Sequence, residues 1–215
     1  MRLAAGILVI FAVGLALWSA PERAGAEWYV AGQVGPTFGD RLKDIQGTGS
    51  LTTLTPQISD FDLANSIAYG AKLGYFPGGG WLGLEVEAFN TTPNIKSFEG
   101  SAGYVPGVHF RVTTIGLNLI ARYPGRTYQP YIGIGGGAAI GHIGNSPTTT
   151  SDTDTSASLQ LLAGLRAFVT PRVAVFTEYK YTDATFQFAG AFGSVGGFQG
   201  EYAAQYLMFG VSYHF

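Results

Sequence analysis

The chain has 215 residues, no cysteine, and a formal net charge of −2 from 12 basic and 14 acidic residues. Charged residues are 12% of it, about half the usual share, while aromatics reach 14% and glycine occurs 32 times. These values exclude a disulfide scaffold and a thiolate metal site. With no basic run or stripe, a nucleic-acid partner has no electrostatic basis.

The N-terminus comes first. Arg2 supplies a positive start, Leu3 to Trp18 is almost wholly apolar, and Ser19–Ala26 ends in Ala24-Gly25-Ala26, the small-x-small pattern of a cleavage site. Residues 1–26 are therefore expected to be an export signal, with 27–215 as one mature domain. The apolar run approaches the roughly 17 residues of a membrane anchor, but a cleavage site follows it promptly. Loss of Arg2, Glu22 and Arg23 would leave 10 basic against 13 acidic residues, a charge of −3.

Eight segments with period-two patterning follow. The first, 28–38, puts Trp28, Val30, Val34 and Phe38 on one face. The second, 66–76, aligns Ile67, Tyr69, Ala71, Leu73 and Tyr75. In the third, 81–91, Leu82, Leu84, Val86 and Ala88 oppose Glu85 and Glu87. In the fourth, 108–123, Ile115, Leu117, Leu119 and Ala121 oppose Thr114, Gly116, Asn118 and Arg122. The fifth, 128–143, sets Ile132, Ile134, Ala138 and Ile140 against Gly133, Gly135, Gly137 and Ala139. The sixth, 157–169, opposes Leu159, Leu161 and Leu165 to Gln160, Gly164 and Arg166. The seventh, 172–188, opposes Val173, Val175, Tyr179 and Tyr181 to Glu178 and Lys180. The eighth, 202–215, carries Leu207, Phe209, Val211, Tyr213 and Phe215 on one face.

Between them, long connections (39–65, 92–107, 144–156 and 189–201) alternate with short ones (77–80, 124–127 and 170–171) that hold Pro77-Gly78-Gly79-Gly80, Pro124-Gly125 and Thr170-Pro171. Most segments can cross a bilayer at a tilt, and an open sheet edge would leave amides unpaired in hydrocarbon. Aromatics gather near segment ends, where an interfacial girdle lies. The expected fold is all-β, an eight-stranded antiparallel up-and-down transmembrane β-barrel in the outer membrane of a Gram-negative bacterium, with its long loops outside the cell. A soluble lipocalin-like barrel would need far more surface charge.

Three stretches carry a family resemblance: Trp28-Tyr29-Val30-Ala31-Gly32, Val175-Phe176-Thr177-Glu178-Tyr179-Lys180-Tyr181-Thr182, and Leu207-Met208-Phe209-Gly210-Val211-Ser212-Tyr213-His214-Phe215. The chain resembles the small outer-membrane β-barrel family, which includes the OmpA transmembrane domain and OmpX-like proteins. The resemblance implies that Phe209, Val211, Tyr213 and Phe215 form the signal read by the barrel-assembly machinery, with periplasmic chaperones as escorts. The sequence stops at the last strand, so no peptidoglycan-gripping role is carried over.

If the apolar faces meet lipid, Lys72, Glu85, Glu87, Arg122, Arg166, Glu178 and Lys180 point into the lumen. Eight strands leave an interior just wide enough for side chains, so these charges are expected to form a salt-bridged plug, an ion path or gated pore being the alternative. Glu85 and Glu87, two residues apart, share one face and belong to the plug in preference to acid–base chemistry. His109, His142 and His214 lack ligand spacing, so no metal or cofactor is expected. His142, Ser146 and Asp152 supply the residue types of a lipid A-modifying enzyme, but the His-x-Ser arrangement of deacylases is missing. The long loops 39–65, 92–107, 144–156 and 189–201, with the Gly-rich stretch 186–198 and its Phe186, Phe188, Phe192 and Phe198, are expected to be exposed and to engage a host surface, an envelope protein or lipopolysaccharide, the alternative being that they only shield the barrel top. The reading is a non-enzymatic structural and surface-interaction barrel. A narrow channel for small or hydrophobic solutes is the first alternative and a lipid A-modifying enzyme the second.

Overall fold

The computed structural model describes residues 26–49, 61–62, 64–93, 98–100, 103–105, 109–144, 151–191 and 196–215. The expected export signal, 1–26, lies outside them apart from Ala26. The strands are β1 (Glu27–Gly49), β2 (Phe61–Asp62), β3 (Ile67–Phe76), β4 (Leu82–Thr91), β5 (Phe98–Gly100), β6 (Gly103–Val105), β7 (Phe110–Arg122), β8 (Tyr128–Ile143), β9 (Asp152–Phe168), β10 (Val173–Phe188) and β11 (Gly196–His214).

Eight of these form the ring β1-β3-β4-β7-β8-β9-β10-β11, each antiparallel to its neighbours, and β11 returns to pair with β1. Closure satisfies every edge that hydrocarbon would otherwise leave unpaired. Both ends of the ring meet beside the short turns, where Trp28 and Phe215 exchange backbone hydrogen bonds of 3.1 and 2.9 Å. One of those turns, Pro77–Gly79, needs Gly78 at φ 59°, a left-handed conformation that glycine adopts without cost.

Burial alternates residue by residue along β4 and β7. The outcome is inverted relative to a soluble protein: Ile132 is 65% exposed while Glu178 is 1% exposed. Trp81, Tyr123, Tyr128 and Phe215 stand exposed at the short-turn end, where an aromatic girdle meets headgroups.

The outer end departs from the expected boundaries. β1 runs to Gly49, where 39–65 was expected to be loop, and β11 begins at Gly196, where 189–201 was. The two long strands pair up to Gly49↔Gly196, with register shifts at Phe38/Arg41 and Lys43/Gln46. Such bulges break the period-two pattern that betrays a strand in sequence, and the glycines of β11 carry no side chains to alternate. β9 likewise starts at Asp152, inside the expected loop 144–156. Loop 92–107 contains the small hairpin β5–β6. Phe186 and Phe188 are not exposed loop aromatics; both are buried inside the barrel from β10, and Phe198 packs against them. Phe192 and Ser146 lie outside the described residues.

Candidate functional site

The inward side chains stack in four levels, because alternate residues of every strand share one face. From the short-turn end these are an ionic floor, a ring layer, a charge layer and an aromatic cap.

In the floor, Arg122 of β7 donates from both terminal nitrogens to Glu27 at 2.7 and 2.5 Å, and from Nε to the Gly80 carbonyl at 3.1 Å. Its guanidinium lies 3.6 Å from the centroid of Phe76, and planar stacking suits this weakly hydrated cation. His214 Nδ1 meets the other flank of Glu27 at 2.7 Å, and its Nε2 meets Ser212 Oγ at 2.9 Å. Serine, histidine and acid thus stand in relay order. Burial runs the wrong way for a hydrolase, though: Ser212 is fully buried and the Glu27 side chain is 24% exposed. The hydroxyl is the dead end of the relay instead of its open end, and Arg122 already occupies both carboxylate oxygens.

Above the floor, Tyr29, Tyr131 and Phe176 form the ring layer, and Arg166 sits 4.3 Å from the Tyr29 centroid and 5.5 Å from that of Tyr131. Glycines make room for these rings. A Cβ on Gly74 would lie 2.0 Å from the Tyr29 ring, and one on Gly164 2.5 Å from Tyr131.

The charge layer holds Lys72 of β3, Glu85 and Glu87 of β4, and Glu178 and Lys180 of β10, all buried. Lys72 Nζ lies 2.7 Å from Glu178, 3.1 Å from Glu85 and 3.7 Å from Glu87. Lys180 bridges Glu87 directly and approaches Glu178 at 3.4 Å. The carboxylates are further satisfied by Tyr29 Oη on Glu85, by Tyr131 Oη on Glu178 at 2.9 Å, by Gln33 on Glu87 at 3.3 Å, and by Asn118 on Glu85 and Glu87 at 3.3 and 3.1 Å. Buried ions are tolerable only when paired and hydrogen-bonded in this way.

The cap consists of Phe89, Phe110, Phe186, Phe188, Tyr202, Tyr206, Met208 and smaller neighbours. Phe110 makes edge contacts of 6.0 Å with Phe186, Phe188 and Tyr202. Tyr202 and Tyr206 share a 3.0 Å hydrogen bond that satisfies their hydroxyls.

The structure therefore brings five of the seven expected lumen charges into one cluster. It sets Arg166 one level below and Arg122 in the floor. Glu27 was missed in the sequence, although alternation with outward Trp28 and Val30 points it inward. With it, four cations face four carboxylates in the lumen. The cap was missed because Phe186 and Phe188, at the end of the 172–188 segment, also belong to the Gly-rich stretch 186–198, which reads as loop. Phe209, Val211, Tyr213 and Phe215 all face outward. His142 bonds Thr153 at 2.8 Å on the outer surface, while Asp152 is engaged by the backbone of Thr153 and Gly190, so His142 and Asp152 do not meet as a catalytic pair. His109 is exposed just before β7. Among the described residues, no group of three or more metal-ligating side chains occurs.

A closed ring with apolar residues outside and ions inside is a transmembrane β-barrel of the outer-membrane type. Residues 7–215 match the family model described as the outer membrane protein beta-barrel domain. The chain belongs to that family, and its location is the outer membrane of a Gram-negative bacterium. The fold is similar to that of Neisserial surface protein A, with 16% identity, 88% of this chain and 98% of that one covered, and a TM-score of 0.55. It is similar also to outer membrane protein AlkL, with 19% identity, 92% and 93% covered, and a TM-score of 0.55. The outer membrane protease OmpT of Escherichia coli aligns at 9% identity over 92% and 99%, with a TM-score of 0.50. No curated protein sequence matches.

Proposed function

We propose that this protein is a non-enzymatic structural barrel that presents its outer end to partners at the cell surface. The observation that carries the reading is the double seal of the lumen. A water-filled path would have to break the salt-bridged charge layer and then part a packed aromatic cap. The work of such a barrel is done at its rim: β1 and β11 extend well beyond the span of a bilayer and hold the outer segments on a rigid wall. Among the described side chains around β1, β10 and β11 at that end, Lys43 faces three carboxylates, Asp44, Asp183 and Glu201. That sector of the rim suits a cationic partner.

Single-channel recording of the purified protein in planar bilayers tests the seal. A silent bilayer is expected, and regular conductance steps would overturn the reading. Mass spectrometry of lipid A from cells with and without the protein should show one acyl pattern; a changed pattern would make it an enzyme.

One observation favours the alternative of a route for hydrophobic solutes. The β9–β10 ladder stops at Ala184↔Ser158, although β9 continues up to Asp152 and β10 to Phe188. Across this seam Asp154 accepts from the Gln187 amide at 2.7 Å and Asp152 from the Gly190 amide at 2.8 Å. Side chains replace a backbone ladder there, beside the apolar cap. Uptake of an apolar fluorophore into proteoliposomes that is abolished by crosslinking Ala157→Cys to Thr185→Cys would favour this route. Uptake unchanged by the crosslink would exclude it.

A further inference from the structure

We propose that the outer surface of β7, β8 and β9 holds a phosphorylated lipid of the outer leaflet, its phosphate against Arg111 and His142 and one acyl chain in the shallow trough below them. Register places the polar part. Arg111 pairs with His142 and His142 with Thr153, so the three lie side by side on neighbouring strands. All three are exposed on the outward face. His142 Nδ1 and Thr153 Oγ1 are 2.8 Å apart, which fixes the imidazole with Nε2 left for a ligand. His109, two residues before Arg111, is exposed at the same edge.

The charge environment singles this sector out. Lys43, the other described cation of the outer end, lies opposite Glu201 in register, so a carboxylate offsets it. Asp183 beside Glu201 raises that carboxyl above its usual range, as expected of a crowded acidic sector. Around Arg111 the situation is reversed: among the described residues no carboxylate forms an ion pair with it. Asp152 and Asp154, on either side of Thr153 in β9, accept from the backbone amides of Thr153, Gly190 and Gln187 and form no ion pair with Arg111. An anion at the membrane surface meets an uncompensated guanidinium here and a repulsive field across β10 and β11. Guanidinium and phosphate match in bidentate geometry.

The apolar part follows directly below. The next outward rows are Thr113–Ile140–Thr155, Ile115–Ala138–Ala157, Leu117–Gly136–Leu159 and Leu119–Ile134–Leu161. Ala138, Ala157 and Gly136 leave a depression between the larger Ile115, Leu117, Leu159 and Leu161. A Cβ on Gly136 would meet only the Ser158 carbonyl at 3.3 Å, so its outer side is open. A second row of small outward residues, Gly32–Ala71–Ala88, crosses β1, β3 and β4. It ends upward at Tyr69, Asn90 and Thr113 with no cation, and therefore fits acyl chains without selecting a headgroup. Cation and trough coincide only on β7–β9 among the described residues.

The test is native mass spectrometry of the detergent-purified protein, incubated with bis-phosphorylated lipid A or with the same lipid dephosphorylated. Retention is expected of the phosphorylated form only. The R111Q/H142Q double variant should lower it about ten-fold, since one charge-assisted hydrogen bond is worth roughly that factor. Gly136→Trp, which fills the trough and leaves the cations in place, should lower it as well. Arg172→Gln, on the opposite rim, should change nothing. The mobility difference between heated and unheated samples shows that each variant is folded. Equal retention of both lipids, or unchanged retention in R111Q/H142Q, would overturn the proposal. Displacement of lipid A by millimolar inorganic phosphate would reassign the site to free phosphate.

Discussion

The lower and upper halves of the lumen are closed by opposite means. The lower half is ionic: four cations and four carboxylates, nearly all with named partners, spread over the floor, the ring layer and the charge layer. The upper half is aromatic, with Phe110, Phe186, Phe188, Tyr202 and Tyr206 in edge and tilted contact. An ionic layer is specific but intolerant, because each group left without its partner keeps its desolvation cost. An aromatic layer is forgiving, because neighbours can partly collapse into a vacated space. The contrast teaches that registry of the barrel is held low down, and that the cap adds bulk and water exclusion above it.

The strongest way to break the comparison is Lys72→Met. Three buried carboxylates then face Lys180 alone, and a loss of about 3–5 kcal/mol is expected in urea unfolding followed by gel mobility. A loss below 1 kcal/mol would mean that the layer is hydrated and not sealed. Phe186→Ala should cost about 3 kcal/mol, at the low end for a large aromatic because the cap can relax. Planar bilayers should stay silent with this variant, since the charge layer remains; channel openings would place the seal in the cap.

Gly74→Val tests the ring layer. The added side chain meets Tyr29, and overpacking of this kind costs about 1–3 kcal/mol. The Gly74→Val/Tyr29→Ala double variant should lose clearly less than the sum of the two single losses, whereas additive losses would deny the contact. Phe215→Ala removes an outward ring at the strand end, where equilibrium stability should shift by no more than about 0.5 kcal/mol. Its effect is expected on the rate at which the heat-modifiable form accumulates in cells, and an unchanged rate would remove Phe215 from the assembly signal.

The smallest effect concerns the acidic rim. Asp183 raises the Glu201 carboxyl, so the folded state holds that proton more tightly than the unfolded chain does. Its stabilising contribution is complete at low pH and is lost as pH rises through the raised value. Glu201→Gln should flatten a shallow fall in stability as pH rises through and above the ordinary carboxylate range, read from melting temperatures across a pH series.

Much of this was legible in the residues. Period-two patterning placed all eight strands, the short turns, the outward Phe209–Phe215 stripe and seven lumen charges, because a lipid-facing wall forces apolar and polar residues to alternate strictly. The outer extensions of β1, β9 and β11 were not legible: bulges, glycines and two-sided polar stretches erase the alternation wherever neither face meets hydrocarbon. Which lumen charges touch was also beyond the pattern. Lys72 and Glu178 are 106 residues apart, and only closure of the ring, with its stagger between strands, sets them at one height while dropping Arg122 to the floor beside Glu27. Sequence by itself determined the wall, since each residue's side of the sheet is a local property. Tertiary structure alone decided the levels, the cap and the Arg111–His142–Thr153 row, since these depend on register between strands that are distant in the chain.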